Sequence, residues 1–242
     1  MKALLLTSPS SLMFTDIETP QPAAGDVRVK IAACGICGSD VHGYTGSTGR
    51  RVPPLVMGHE AAGTIDAVGP DVSGEMIGQR VALDSTVFCS ECEFCRNGQE
   101  NLCTDRQVLG VSCDAYRRHG CFAEYVIVPK RCVYPLPDHM DFIAASLLEP
   151  LTIGLQAVRL GNAGPTTRSA VVVGAGTIGL AIVAALKAYG VQRIAAVDLD
   201  AGRLKEAKDL GADDVFDAAQ VNPKQLTEWG ASSVDTDGAD MI

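Results

Sequence analysis

Four cysteines, at positions 89, 92, 95 and 103, crowd the stretch VFCSECEFCRNGQENLC of a 242-residue chain. No other spacing in the sequence restricts the fold so tightly. Two-residue gaps let one turning loop present successive sulfurs to a single point. The longer gap, eased by Gly98, lets the chain return and close a fourth corner. Four thiolates about 2.3 Å from a common centre describe structural zinc. An iron–sulfur cluster is also held by four thiolates, and four unconnected thiols are the remaining alternative. A metal bound by Cys89, Cys92, Cys95 and Cys103 has no open position for chemistry, so it staples a loop.

Composition narrows the setting. Nine cysteines form an odd number, so a complete disulfide framework within one chain is excluded, and clustered cytosolic cysteines more often hold metal. The apolar run Ala3–Leu6 is far shorter than the ~7–15 residues of a signal-peptide core. No stretch approaches the ~18 apolar residues of a membrane span. A cytoplasmic location is expected. The net charge of −9 argues against nucleic acid and against anionic membrane surfaces as partners.

The two parts of the chain differ in rhythm. Up to about residue 150, short β-rich runs (KALLLT, DVRVKIAAC, AAGTIDAV, QRVALDS, FAEYVIVP, CVYPLP) alternate with Gly- and Pro-bearing turns, as in a β-barrel or sandwich. From Asp141, DFIAASLLEPLTIGLQAVRLG carries apolar residues at helical spacing and stops at Gly161. SAVVVGAG, TIGLAIVAALKAYG, RIAAVD, AGRLKEAKDLGA and DDVFD then read strand, helix, strand, helix, strand. That is two βαβ units and a parallel sheet. Gly238–Ile242 read as the start of a further strand.

Gly174-x-Gly176-x-x-Gly179 follows a valine-rich run and precedes an apolar helix, the context that makes such a motif specific for a dinucleotide. Gly174 permits the tight turn, Gly176 lets the backbone approach a pyrophosphate at the helix N-terminus, and Gly179 lets helix pack on strand. Asp198 ends the next strand about 20 residues on, where a carboxylate binds ribose hydroxyls and repels a 2′-phosphate. NAD is therefore expected over NADP.

CGICGSDVH, GHEAAG and LLEP add Cys37, His59, Glu60 and Glu149. Together they offer a thiolate, an imidazole and one or two carboxylates, and catalytic zinc uses about three protein ligands plus an open position. With GICGSDVH, GHEAAG, the four-cysteine lobe, LLEPLTIGL and VVVGAGTIGL in this order, the chain resembles the zinc-dependent medium-chain alcohol dehydrogenases, in the branch of sorbitol-type polyol and threonine dehydrogenases. The resemblance spans essentially the whole chain.

It implies an α/β chain: a GroES-like, β-rich catalytic domain over residues 1–150, then an incomplete Rossmann nucleotide-binding domain over 151–242. It makes Cys37 and His59 ligands of a catalytic zinc, with Glu60 third and Glu149 approaching the metal directly or through water. Ser39 and His42 take the positions of a proton relay. Ile178 joins Gly174, Gly176, Gly179, Asp198 and Arg203 at NAD. The implied function is hydride transfer between a small alcohol or polyol and NAD, with threonine as the alternative substrate. Zinc supplies Lewis acidity to a bound hydroxyl.

The resemblance also implies that about three βα units and a return segment of the family fold are not in this chain, so the part that orients the nicotinamide is missing. A zinc- and nucleotide-binding module without turnover is the competing expectation. Homo-oligomerisation is left open, since relatives associate partly through that same region. Arg50 and Arg51 are expected to be solvated in preference to binding a substrate phosphate. Cys34, Cys113, Cys121, Cys132, His119 and His139 are expected to carry no function.

Overall fold

The computed structural model describes residues 1–231 and 240–241, which form two units, Met1–Glu149 and Pro150–Ile242. Of the strand expected from Gly238 to Ile242, Gly238, Ala239 and Ile242 lie outside the described residues.

The first unit opens with a hairpin, β1 (Lys2–Ser8) and β2 (Ser11–Asp16). β3 (Asp26–Gly35) runs into a short helix, α1 (Gly38–Tyr44). Next come β4 (Leu55–Val56), which pairs with β1, then β5 (Glu60–Val68) and β6 (Arg80–Leu83). β7 (Thr86–Val87), α2 (Glu93–Arg96) and β8 (Gln107–Val108) frame the cysteine lobe. β9 (Val111–Ser112), β10 (Arg117–Arg118), β11 (Tyr125–Pro129), β12 (Val133–Pro135) and the helix α3 (Phe142–Ser146) complete the unit.

Five strands form its main sheet in the order β11-β3-β5-β6-β12, every pair antiparallel. Strand alternation puts Val27 and Val29 of β3, Ile65 of β5, Val81 of β6 and Val126 and Val128 of β11 into one core. Fully burying such a side chain stabilises by about 1.5–3 kcal/mol. The β3–β5 register sets Cys34 opposite Ala61 and Gly35 opposite Glu60. Sheet pairing thus brings CGICG and GHEAAG side by side.

In the second unit, α4 (Leu148–Leu160) leads to β13 (Ser169–Val173), α5 (Thr177–Ala188), β14 (Arg193–Asp198), α6 (Ala201–Asp209), β15 (Asp214–Asp217), α7 (Pro223–Ala231) and β16 (Asp240–Met241). The sheet is parallel, in the order β15-β14-β13-β16. Strand order reverses at β13, and in open α/β sheets ligands bind at such a switch point. Ala170 and Val172 of β13, with Ile194 and Ala196 of β14, bury against Val183 and Leu186 of α5. Among the described residues, no helix is long and apolar enough to cross a membrane.

The structure differs from the sequence reading in particular places. The helical stretch from Asp141 is two helices, α3 and α4, with Leu147 as the C-cap of α3. The stop itself is where the spacing put it: α4 ends at Leu160, just before Gly161, and the left-handed residue of the turn is Asn162 (φ 52°). α1, α7, β2 and the two-residue strands were not anticipated. Short elements carry too few periods for a pattern to show.

Candidate functional site

Cys37 is the N-cap of α1, two residues beyond β3, and His59 stands just before β5. Donor atoms of Cys37, His59 and Glu60 all lie within 4.8 Å of one another. His59 is 8% exposed and Glu60 5%. A Cβ on Gly35 would stand 2.3 Å from Oε2 of Glu60, so a glycine opposite Glu60 is what leaves room for the carboxylate to turn inward. One thiol, one imidazole and one carboxylate converging in a buried spot are the donor set of a tetrahedral zinc with one open corner. The residues present therefore fit the metal.

The imidazole is backed by a carboxylate that sequence reading did not single out. Oδ1 of Asp40, a residue 2% exposed, lies 3.6 Å from Nδ1 of His59. A carboxylate facing one ring nitrogen leaves the other to ligate. Oδ2 of Asp40 accepts from the backbone N–H of Cys37 at 3.1 Å, so one side chain ties together two of the converging residues.

Electrostatics follow from burial. Burial pushes the Cys37 thiol above its ordinary value, and it does the same to the Glu60 carboxyl. For His59 burial acts downward, but hydrogen bonding and charge from Asp40, then the charges of Glu149 and Glu60, outweigh it, and the imidazole is raised. Glu149, in the first turn of α4, lies outside the three-residue group. Its Oε1 accepts from the hydroxyl of Ser85 at 2.9 Å. Nothing in the sequence around Ser85 signals that contact.

Ser39 and His42 both sit on α1. The Ser39 hydroxyl acts on the Cys37 thiol and accepts from Nη2 of Arg51 at 3.3 Å. His42 is exposed. The expectation of a solvated Arg51 is wrong: it is 8% exposed, while Arg50 is at the surface. His119 is structural, its Nδ1 accepting from the backbone N–H of Val56 at 3.1 Å.

The four-cysteine lobe is built differently. The sulfurs of Cys89, Cys92, Cys95 and Cys103 lie within 4.8 Å of one another, with Cys89 and Cys95 4.0 Å apart. Sulfurs at tetrahedral corners about 2.3 Å from a metal stand about 3.8 Å apart, so this set also fits zinc. Backbone N–H groups point at the sulfurs: Glu91 and Cys92 donate to Cys89 Sγ at 3.4 and 3.3 Å, and Cys89 donates to Cys103 Sγ at 3.3 Å. Backbone donors bring Cys92 down to about 6, while burial and the neighbouring thiols push Cys95 up to about 12. All nine cysteines are free.

At the C-terminal end of β13, Gly174 has φ +94°, a conformation that favours glycine. A Cβ on Gly179 would lie 1.8 Å from the carbonyl oxygen of Gly174. Gly176 is different: its backbone is extended (φ −73°, ψ −173°) and a Cβ there would meet nothing within 4 Å. Space therefore remains in front of the N-terminus of α5, where backbone N–H groups favour an anion. Asp198 ends β14 with its carboxylate held by the N–H groups of Ala175 (2.7 Å) and Asp200 (2.9 Å). The N–H groups of Asp200 and Ala175 hold it below the usual carboxylate range. Arg203 Nη1 is 3.9 Å from that carboxylate, and Ile178 is 38% exposed beside the turn.

Residues 23–138 match the alcohol dehydrogenase GroES-like domain, and residues 177–242 match the zinc-binding dehydrogenase domain. The chain is 42% identical over 206 residues to L-idonate 5-dehydrogenase of Vitis vinifera, covering 84% of this chain and 55% of that protein. It is 34% identical over 247 residues to L-threonine 3-dehydrogenase of Bacillus subtilis, covering 100% and 68%. The crystal structure of an alcohol dehydrogenase (rspB) from Escherichia coli CFT073, complexed with NADH, superposes with a TM-score of 0.86 at 39% identity, covering 95% and 66%. The chain thus spans roughly half to two thirds of the curated relatives it matches.

Proposed function

Because this chain belongs to the zinc-dependent medium-chain alcohol dehydrogenase family, we propose that it serves hydride transfer between a polyol or secondary alcohol and NAD. The convergence of Cys37, His59 and Glu60 within 4.8 Å carries the reading. These three residues hold a catalytic zinc, and Cys89, Cys92, Cys95 and Cys103 hold a structural one. The catalytic zinc, when bound, supplies the Lewis acidity that lowers the pKa of an alcohol.

The chain's own groups supply the rest. Asp40 orients the His59 ring from behind. Glu149, held by Ser85, adds negative charge beside the set and remains available as an alternative carboxylate. Ser39 accepts and passes a proton next to Cys37, and His42, at the surface of α1, delivers it to water. Gly174, Gly176, Ile178 and Gly179 shape the turn that receives the pyrophosphate of NAD. Asp198 takes the ribose hydroxyls and disfavours a 2′-phosphate, with Arg203 beside it. The domains read over 1–150 and 151–242 then divide metal chemistry from nucleotide binding. Four cysteines clustered at metal-ligand spacing, in a chain whose cysteine count is odd, support a reducing, cytoplasmic setting.

The similarity to a threonine 3-dehydrogenase over the whole chain keeps threonine as the second substrate reading. Elemental analysis of protein purified without added metal, paired with NADH formation from a panel of polyols and threonine, tests the proposal. Two zinc ions per chain with turnover is the expected result, and the preferred panel member separates polyol from threonine. Two zinc ions without turnover assign the chain a binding role. One zinc or none overturns the Cys37–His59–Glu60 assignment.

A further inference from the structure

Arg51 is a buried cation that the reading above leaves without a task. Its side chain is 7% exposed, and Nε is buried with no hydrogen-bond partner. Nη2 donates to Ser39 Oγ at 3.3 Å and lies 3.9 Å from Oδ1 of Asp40, while Nη1 donates to the carbonyl of Arg50 at 3.2 Å. Guanidinium groups are seldom buried unless paired. Here the pairing falls on the two residues of α1 that flank the metal set, one beside Cys37 and one behind His59.

The approach is built into the backbone on both sides. A Cβ on Gly43 would stand 2.3 Å from Cγ of Arg51, so the aliphatic stem crosses α1 where the helix has no side chain. Ser39 and Gly43 are four residues apart and Asp40 and Gly43 three, so all three share one helix face. From the other side, Arg51 bridges to Ser112 of β9. Val52 N–H donates to the Ser112 carbonyl and Ser112 N–H to the Arg50 carbonyl, each at 3.2 Å. α1 has seven residues, too few to hold its shape alone. Arg51 therefore fastens a marginal helix to a fixed strand by the face that bears Ser39 and Asp40.

We propose that Arg51 is a positioning residue of the catalytic metal set, which clamps α1 across Gly43 and holds the Asp40 carboxylate, and through it the His59 ring, in ligating orientation. This rests on the reading of Cys37, His59 and Glu60 as a zinc site. A lysine would keep the charge but not the planar fork that reaches two acceptors at once.

The test uses the full chain loaded with cobalt or zinc. The measurements are affinity for the second metal equivalent, by competition with a chromophoric chelator, and the visible spectrum of the cobalt form, with the four-cysteine metal as internal control. Arg51→Met should lower that affinity about 10- to 100-fold, as loss of an outer partner does, and shift the cobalt bands, with the lobe unchanged. Arg51→Lys should recover part of both. In an Asp40→Asn background Arg51→Met should add little, because it acts through Asp40.

Wild-type affinity and an unchanged spectrum in Arg51→Met overturn the proposal, as do additive losses in the double variant. Should Arg51→Met fail to fold, an Arg51→Lys protein with the wild-type cobalt spectrum overturns it equally. A wild-type chain that binds a single equivalent removes the zinc reading itself. Two equivalents with no effect at Arg51 remove only the clamp.

Discussion

The two candidate metal sets of this chain are supported in opposite ways. The lobe takes Cys89, Cys92, Cys95 and Cys103 from one loop, and its support is main chain, with N–H groups of Cys89, Glu91 and Cys92 aimed at sulfur. The other set takes Cys37, His59 and Glu60 from two strands' ends, and its support is side chain and empty space: Asp40 behind the imidazole, Arg51 across α1, Gly35 beneath the carboxylate. A site carried by the backbone tolerates change around it. A site carried by side chains depends on each of them, which is in keeping with the catalytic role proposed for that set.

Single-ligand replacements should break the comparison most visibly. Cys95→Ser should cost the lobe its metal and produce the largest fall in melting temperature, because structural zinc contributes folding energy outright. His59→Ala should abolish the second metal equivalent, by a hundredfold or more in affinity, with a smaller loss of melting temperature. Both are read by metal analysis and calorimetry on the same preparations. Loss of both metals from either variant would show that the sets are not independent.

A pH series should sharpen the contrast next. Cys37 and Glu60 are raised by burial, and His59 is raised by Asp40 against burial. The folded, metal-free protein therefore holds more protons at these groups than the unfolded chain does. Its stability should fall as pH rises through their range, while metal competes better as protons leave. The gap in melting temperature between loaded and stripped protein should accordingly widen from pH 6 to pH 8. A constant gap would contradict the direction of these shifts. In the lobe, Cys92 at about 6 is already largely a thiolate at neutral pH, so that sulfur contributes little to any such widening.

Smaller effects follow from the supporting groups. Gly35→Ala should displace the Glu60 carboxylate and weaken the second equivalent about tenfold, leaving the lobe untouched. Ser85→Ala removes one hydrogen bond to Glu149 and should cost about 1 kcal/mol or less in stability, seen as a shift of the denaturation midpoint. A lobe that responded to either change would contradict the separation drawn above.

The same contrast explains what was legible beforehand. The lobe reads directly from spacing because its ligands are neighbours in sequence. The nucleotide turn reads for the same reason, with Gly174, Gly176 and Gly179 in one stretch and Asp198 one strand on. The five-stranded sheet showed through short β-rich runs bounded by Gly- and Pro-bearing turns, and β13 to β15 through alternation of strand and helix. Cys37, His59 and Glu60 could be named as candidate donors from their residue types but assigned to one metal only by resemblance, since the β3–β5 register that joins them is a tertiary fact. Asp40, Ser85 and the burial of Arg51 were not reachable at all. Each is an ordinary polar residue until a partner from elsewhere in the chain arrives, and α1, which carries Asp40, is too short to announce itself.

The three glycines of the nucleotide turn answer to different demands. Chain geometry requires Gly174, and packing requires Gly179, but neither its conformation nor any neighbour among the described residues requires Gly176. A methyl group there would cost the fold little, so only an outside visitor has a reason to refuse it. The residue is in that sense a negative imprint, a place where the polypeptide records the outline of a molecule it does not itself contain.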